Sequence, residues 1–179
     1  RNLKILSLTD STYLLDSSSI SKYKAPLKVL ATTKLNDENN NTPLIEACET
    51  DIAYFIFTSG STGVPKGVPI TYKNLNSFLY AIKSELSYHV KSDDKCLQMF
   101  ELTFDMSVVA FLSPLMHGAC VYTLPKDCIK YFYIYKLLEK HKLTILIMVP
   151  SIIQYLSPYF NEIKAEQVRY SCFAGGKLH

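Results

Sequence analysis

Several features that would point to a particular class of protein are missing from this sequence. Its five cysteines form no CxxC pair and no cluster with histidine, so neither a metal site nor a disulfide framework is predicted. The net charge is only +3, with no dense basic stretch, which argues against nucleic-acid binding. The longest apolar runs, such as Ile145 to Val149, have the length of a strand and are too short to cross a membrane. We therefore expect a reduced, cytoplasmic protein.

No signal peptide is visible, and the sequence does not begin with methionine, so we expect a trimmed piece of a longer protein. A chain of 179 residues with 48% hydrophobic content can bury one core. Residues 1–50 contain short apolar runs that predict short strands, among them Leu3 to Leu8, and a polar loop around residues 34–42. From residue 51 onward, strand-sized apolar runs alternate with helices of about a dozen residues. This pattern predicts an α/β domain with a largely parallel sheet flanked by helices.

Glycine is scarce, but three of the six glycines lie in one short loop, Thr58-Ser-Gly-Ser-Thr-Gly-Val-Pro-Lys-Gly67. Glycines allow backbone N–H groups to turn toward a polyanion, and the hydroxyls of the loop add further donors. Lys66 adds a positive charge that can meet a β- or γ-phosphate. The loop therefore predicts a triphosphate site. A flexible linker is the alternative, but a linker would not lie between two apolar strands or carry Pro-Lys-Gly.

The loop does not follow the Walker pattern, because Pro65 precedes the lysine and Gly67 follows it. The longer stretch from Tyr54 to Val68 instead resembles the signature phosphate loop of the AMP-forming adenylating enzymes. These include acyl-CoA synthetases, luciferases, adenylation domains of nonribosomal peptide synthetases and D-alanine–carrier protein ligases. The resemblance implies the large N-terminal domain of such an enzyme, with residues 51–179 as its incomplete AMP-binding core. It also implies that ATP and Mg²⁺ bind, with catalytic roles for Thr58 and Lys66. The implied phosphate-binding residues are Thr58, Ser59, Gly60, Ser61, Thr62, Gly63, Lys66 and Gly67.

A second segment, Phe104-Asp-Met-Ser107, favours one branch of this family. Taken alone, Asp105 is equally well explained as a capping residue at the start of a helix. In the branches that activate amino acids, a similar Phe-Asp-x-Ser motif supplies the carboxylate that binds the substrate ammonium. The resemblance implies that role for Asp105, and it implies that Met106 and Val109 face the substrate side chain. A cation in a partly dry pocket requires such a paired anion.

Two later segments complete the resemblance. Val149-Pro-Ser151 resembles a segment that packs beside the family's pocket, although a helix start on the core explains it equally well. Gly175 and Gly176 resemble the family's Gly-Gly-Glu turn and would border the adenine and the substrate carboxylate. Gly176 stands where amino-acid branches carry glutamate, whereas acyl-CoA branches often carry a small residue there.

The resemblance as a whole implies an ATP-dependent ligase that forms an acyl-adenylate, most closely like the amino-acid branches, and transfers the acyl group to a thiol. The thiol would belong to a carrier-protein phosphopantetheine or to CoA. The alternatives are an acyl-CoA synthetase for a fatty or aryl acid and a non-catalytic nucleotide-binding remnant. Later family motifs lie beyond residue 179, so we expect these residues alone to be inactive.

Overall fold

The computed structural model describes residues 2–9, 11–17, 27–32, 46–59, 63–85 and 88–177. Contacts divide the chain into two compact units, Arg1–Tyr72 and Lys73–His179. The predicted regions 1–50 and 51–179 follow from the family resemblance and not from contacts within the structure. They stay a prediction. No helix among the described residues is both long enough and apolar enough to span a membrane.

The described residues of the first unit form one short helix and two small sheets. Its helix is α1 (Asn2–Leu8), and its strands are β1 (Tyr13–Asp16), β2 (Lys28–Ala31), β3 (Ile52–Thr58) and β4 (Lys66–Thr71). Strands β1 and β2 pair in parallel, and β3 and β4 form an antiparallel hairpin. The predicted strand at Leu3 to Leu8 is wrong, because this short apolar run is helical. A run of this length fits helical and strand periodicity equally well. The predicted polar loop lies outside the described residues.

The second unit is a three-layer α/β structure built on a parallel sheet. Its elements are α2 (Tyr72–Glu85), β5 (Lys95–Gln98), α3 (Met106–Met116), β6 (Cys120–Thr123), α4 (Lys130–His141), β7 (Ile145–Met148), α5 (Ser151–Leu156), a short helical turn (Ser157–Tyr159) and β8 (Tyr170–Phe173). The four strands lie in the order β6-β5-β7-β8, and every pair is parallel. The predicted α/β fold with a largely parallel sheet is therefore confirmed.

Two apolar clusters cover the two faces of this sheet. Along β7, Ile145 and Ile147 face a cluster that includes α2 and α3, while Leu146 and Met148 face one formed with α4 and α5. All four residues of β7 are buried, as expected for a central strand covered on both faces. Burying one such side chain contributes about 1.5–3 kcal/mol relative to leaving it exposed. The two clusters therefore stabilise the sheet from both faces. A functional site would lie at the ends of its strands.

The end of α4 provides a test of local backbone conformation. Lys142 caps this helix in the left-handed region, at φ 56° and ψ 58°, and its N–H donates to the Leu138 carbonyl. A side chain in this region costs about 1–2 kcal/mol, which glycine avoids. We expect Lys142→Gly to raise the free energy of unfolding by about 0.5–1 kcal/mol, measured by urea unfolding followed by circular dichroism.

Lys140→Gly is the matched control, because the same residue type lies two positions earlier, exposed and inside the helix. That change should lower the free energy of unfolding by about 1 kcal/mol. Equal destabilisation by both substitutions would contradict the account of the cap.

Candidate functional site

The predicted phosphate loop joins the two strands of the β3–β4 hairpin. The last paired residues are Thr58 and Lys66, and Thr58 Oγ1 donates to the Lys66 carbonyl at 3.4 Å. The predicted loop is thus shorter than its motif, because Thr58 belongs to β3 and both Lys66 and Gly67 belong to β4. Gly60, Ser61 and Thr62 lie outside the described residues. Cross-strand pairing holds both ends of the loop at a fixed separation.

Two described glycines of the motif are required for different reasons. Gly63 has φ +74°, a conformation that side chains rarely adopt, and a Cβ there would meet no atom within 4 Å. Gly67 lies against an aromatic ring, since a Cβ at this position would lie 3.0 Å from Phe57 Cε1. Gly63 therefore provides a turn with open space around it, and Gly67 allows the two strands to pack closely.

Lys66 is exposed, and it takes part in no ion pair within the described segments. The salt bridge found there joins Arg169 to Asp94. The ammonium group of Lys66 is therefore available to an anion. Ser59 is exposed as well. An available cation beside an open glycine turn fits the phosphates of ATP, which is the ligand that the motif predicts.

The other predicted residues lie at the carboxyl ends of the strands in the second unit. After β5 the chain passes through α3 to β6 on one side, whereas after β7 it passes through α5 to β8 on the other side. The strand order therefore reverses between β5 and β7. In parallel α/β sheets, ligands bind in the crevice at such a reversal. Asp105 follows β5 and the Val-Pro-Ser segment follows β7, so both belong to this crevice end of the sheet.

Asp105 lies directly before α3 and has an exposed side chain. Its Oδ1 accepts a hydrogen bond from the Met106 N–H at 2.8 Å, and no hydrogen bond to Oδ2 is found among the described residues. The backbone of Asp105 is helical, at φ −59° and ψ −35°, whereas a standard capping residue is extended. The cap thus engages one oxygen only and leaves the other for a cation.

The side chains that follow Asp105 turn toward the core. Met106 is half-buried, and Val109 is 5% exposed within the apolar cluster around α2 and α3. Ser107 is fully buried, and its Oγ has no hydrogen-bond partner among the described residues. The predicted contacts of Met106 and Val109 with a substrate stay predictions.

A pocket of about 410 Å³ lies beside the carboxyl ends of β7 and β8. Its lining residues are Val149, Pro150, Ser151, Ile153, Gln154, Gly175, Gly176 and Lys177. A Cβ at Gly176 would lie 3.5 Å from Pro150 Cδ, which is an ordinary contact. Packing therefore does not require glycine at this position, and its missing side chain leaves room in the pocket. The pocket brings together the predicted Val-Pro-Ser and Gly-Gly segments. The sequence interpretation missed Lys177, since one exposed lysine carries no pattern.

The cysteines near the sheet are poor nucleophiles. Burial raises the pKa of the Cys172 thiol on β8. Burial, together with the nearby Asp94 and Cys120, raises the pKa of Cys96 to about 12. Both groups are therefore neutral thiols at physiological pH. The described residues also contain no group of three or more His, Cys, Asp or Glu that could hold a metal ion.

A three-layer α/β unit with a strand reversal in its parallel sheet and a pocket at the carboxyl ends of its strands, in a chain that also carries a glycine-rich loop, is typical of nucleotide-binding enzymes. The chain belongs to the family of AMP-binding enzymes, whose family model matches residues 4–179. Nonribosomal peptide synthetase 8 of Aspergillus fumigatus is 30% identical to it in an alignment of 168 residues that covers 88% of this chain.

Two solved structures are similar to the chain. The adenylation domain AlmE of Vibrio cholerae, crystallised with glycyl-adenosine-5'-phosphate, is 32% identical, with a TM-score of 0.56 over 62% of this chain. The nonribosomal peptide synthetase FmoA3, in its AMPPNP-bound form, is 21% identical, with a TM-score of 0.84 over 98% of this chain. The second likeness, which extends over nearly the whole chain, confirms the predicted α/β fold. The chain spans 2% of the Aspergillus protein, 20% of the AlmE chain and 19% of the FmoA3 chain.

Proposed function

We propose that this chain is part of an AMP-forming ligase that activates an amino acid as its acyl-adenylate. The observation that carries the proposal is the exposed Asp105 carboxylate, which lies at the strand reversal and whose Oδ2 accepts no hydrogen bond from the described residues. The ammonium group of a substrate would bind Oδ2 of this carboxylate, the oxygen that the helix cap does not use. The likeness to AlmE, whose crystals hold a glycyl-adenylate, supports the same class of substrate.

The phosphate loop would hold the β- and γ-phosphates of ATP. Thr58 and Lys66 would act on the reacting phosphates, and Ser59, Gly60, Ser61, Thr62, Gly63 and Gly67 would supply hydroxyl and backbone donors. Mg²⁺ would neutralise further negative charge on the triphosphate. Gly175 and Gly176 would border the adenine and the substrate carboxylate, where glycine allows close backbone approach.

In the proposed reaction, the substrate carboxylate attacks the α-phosphorus of ATP, and the bond to the bridging oxygen of pyrophosphate breaks. The products are an aminoacyl-adenylate and pyrophosphate. Catalysis of such a transfer consists mainly of positioning and charge neutralisation. Asp105 would orient the amino acid, and Lys66 would stabilise charge on the departing pyrophosphate. A thiol, from carrier-protein phosphopantetheine or CoA, would then accept the acyl group and release AMP.

ATP–pyrophosphate exchange tests this proposal. The full-length protein is assayed against the twenty L-amino acids, D-alanine, and a set of fatty and aryl acids. Exchange driven by one or a few amino acids is the expected result, and it would identify the substrate. No exchange with any acid, in a protein that still binds ATP, would instead indicate a non-catalytic nucleotide-binding remnant.

An acyl-CoA synthetase is the second candidate, favoured by Gly176. This residue leaves the pocket open where amino-acid branches of the family carry glutamate. Exchange that requires a fatty or aryl acid, followed by transfer to CoA, would support this candidate. In that case Asp105 would have no substrate ammonium to bind.

Lys66 provides a separate test of the phosphate loop. We expect Lys66→Ala to raise the KM for ATP about tenfold, because one charge-assisted contact contributes about 1.5 kcal/mol. Lys73→Ala is the matched control, since Lys73 is another exposed lysine, on α2. Steady-state exchange kinetics at varied ATP concentration measures both variants. Equal effects of the two substitutions would contradict a specific role for Lys66.

A further inference from the structure

The aromatic residue before Asp105 makes a specific contact with the turn after β8. A Cβ added to Gly175 would lie 3.5 Å from Phe104 Cζ and 3.8 Å from Val149 Cγ1. The phenyl ring of Phe104 and the side chain of Val149 therefore lie against the open face of this glycine. The segments that follow β5, β7 and β8 meet at this point.

The ring of Phe104 is also fixed from its own side. It stacks on Phe100, with ring centroids 5.8 Å apart and an interplanar angle of 30°. The backbone N–H of Phe100 donates to Gln98 Oε1 at 2.8 Å, and Gln98 is buried at the end of β5. A continuous series of contacts thus connects the end of β5 to the turn after β8 through the two phenyl rings.

The start of α3 depends on the same residue. The Phe104 carbonyl accepts the N–H of Ser107 at 3.0 Å in the first turn, and Asp105 is the next residue in the chain. A shift of the Phe104 backbone is therefore passed on to Asp105 and to the start of α3. Phe104 is still 42% exposed, so the ring is not needed to fill the core. An exposed phenyl ring that stacks on Phe100 and touches the turn after β8 with its edge is better explained by positioning than by burial.

We propose that Phe104 is a positioning residue, whose contact with Gly175 holds the Asp105 carboxylate in register with the pocket for the substrate ammonium. This inference rests on the proposed amino-acid ligase function. Gly175 is the other half of this contact, because its φ of +82° and its missing Cβ let the turn after β8 approach the Phe104 ring. A substrate without an ammonium group gains nothing from the contact.

The test compares an amino acid that the full-length enzyme activates with its des-amino analogue, which lacks the ammonium group. Phe104→Ala should lower kcat/KM for the amino acid about tenfold or more, because a misplaced catalytic or binding group costs up to about a hundredfold. The same variant should change kcat/KM for the des-amino analogue less than about twofold, and it should leave the KM for ATP unchanged. Phe104→Leu keeps an apolar side chain over Gly175 and should recover part of the loss.

Phe132→Ala is the matched control, since Phe132 is 40% exposed and lies on α4 over Lys136 instead of Gly175. This substitution should leave kcat/KM unchanged for both the amino acid and its des-amino analogue. Thermal unfolding of each variant, followed by circular dichroism, reports any general loss of stability. An equal loss for both substrates, or no loss for either, would overturn the positioning role.

Asp105→Asn serves as the reference that separates the two proposals. If it removes the preference for the amino acid over the des-amino analogue, the proposed function stands, and the Phe104 variants then decide the inference. If it leaves that preference intact, the proposed role of Asp105 fails first. Gly175→Ala should lower amino-acid activation like Phe104→Ala, and the double variant should lose little more than either single variant. Fully additive losses would show that the two residues act independently.

Discussion

Replacing Asp105 by asparagine is expected to lower kcat/KM for the amino acid about a hundredfold while the helix start survives. Asparagine keeps an oxygen for the Met106 N–H and is itself a good capping residue. It removes only the negative charge that the substrate ammonium would meet. Loss of one partner of a hydrogen-bonded charge pair costs about 2–5 kcal/mol, and the exposure of Asp105 places the effect at the lower end.

Asp105→Asn and Asp105→Ala together separate the two explanations of Asp105. A capping role alone predicts that Asp105→Asn is neutral and that Asp105→Ala lowers the free energy of unfolding by about 1 kcal/mol. A substrate role predicts that both variants lose amino-acid activation equally and that the KM for ATP is unchanged. Asp127→Asn is the matched control, since this exposed aspartate has φ 62°, which asparagine tolerates. Full activity of Asp105→Asn would reject the ammonium role.

Local patterns predicted those parts of the molecule that local sequence determines. The glycine-rich loop lies between two apolar runs that pair as β3 and β4, and the apolar run at β7 has the length of a buried strand. The alternation of strands and helices in the sequence predicted the parallel sheet, because neighbouring parallel strands need crossover connections. The Asp105 cap was one of two predicted alternatives, and its hydrogen bond to the Met106 N–H is present.

Contacts between distant segments could not be predicted in the same way. Phe104 and Gly175 are far apart in the sequence, and nothing in either segment indicates that one lies on the other. The reversal of strand order between β5 and β7 is likewise a property of the whole sheet. At α1, a run of a few apolar residues carried too little periodicity to distinguish helix from strand.

Asp94 is a further case, because Ser92-Asp-Asp-Lys95 has the composition of a surface loop. The structure buries the second aspartate, which is 2% exposed, at the amino-terminal end of β5. Its carboxylate forms an ion pair with Arg169 at 2.5 Å and accepts hydrogen bonds from Thr144 Oγ1 at 2.6 Å and from the Lys91 N–H at 2.7 Å. The network connects the starts of β5, β7 and β8, at the end of the sheet opposite the candidate site.

We expect Asp94→Asn to lower the free energy of unfolding by about 2–3 kcal/mol. Breaking a buried ion pair costs about 3–5 kcal/mol, and Arg169 is 29% exposed, so water offsets part of that cost. Asp93→Asn is the matched control, because this neighbouring aspartate is exposed and should change stability by less than about 0.5 kcal/mol. Urea unfolding at pH 7, followed by circular dichroism, compares the two variants.

The same carboxylate should make stability depend on pH. Burial alone would raise the pKa of Asp94, but the hydrogen bonds from Arg169, Thr144 and Lys91 outweigh burial and hold the pKa below its ordinary value of 3.8. The folded state therefore binds fewer protons than the unfolded chain in this range, and stability is lost as the pH falls from about 4 through the lowered pKa. The Asp94→Asn variant should lack this part of the acid sensitivity, so the stability difference from the parent should shrink toward low pH. A difference that stays constant from pH 7 to pH 3 would mean that the charge of Asp94 contributes nothing and that the variant loses only packing.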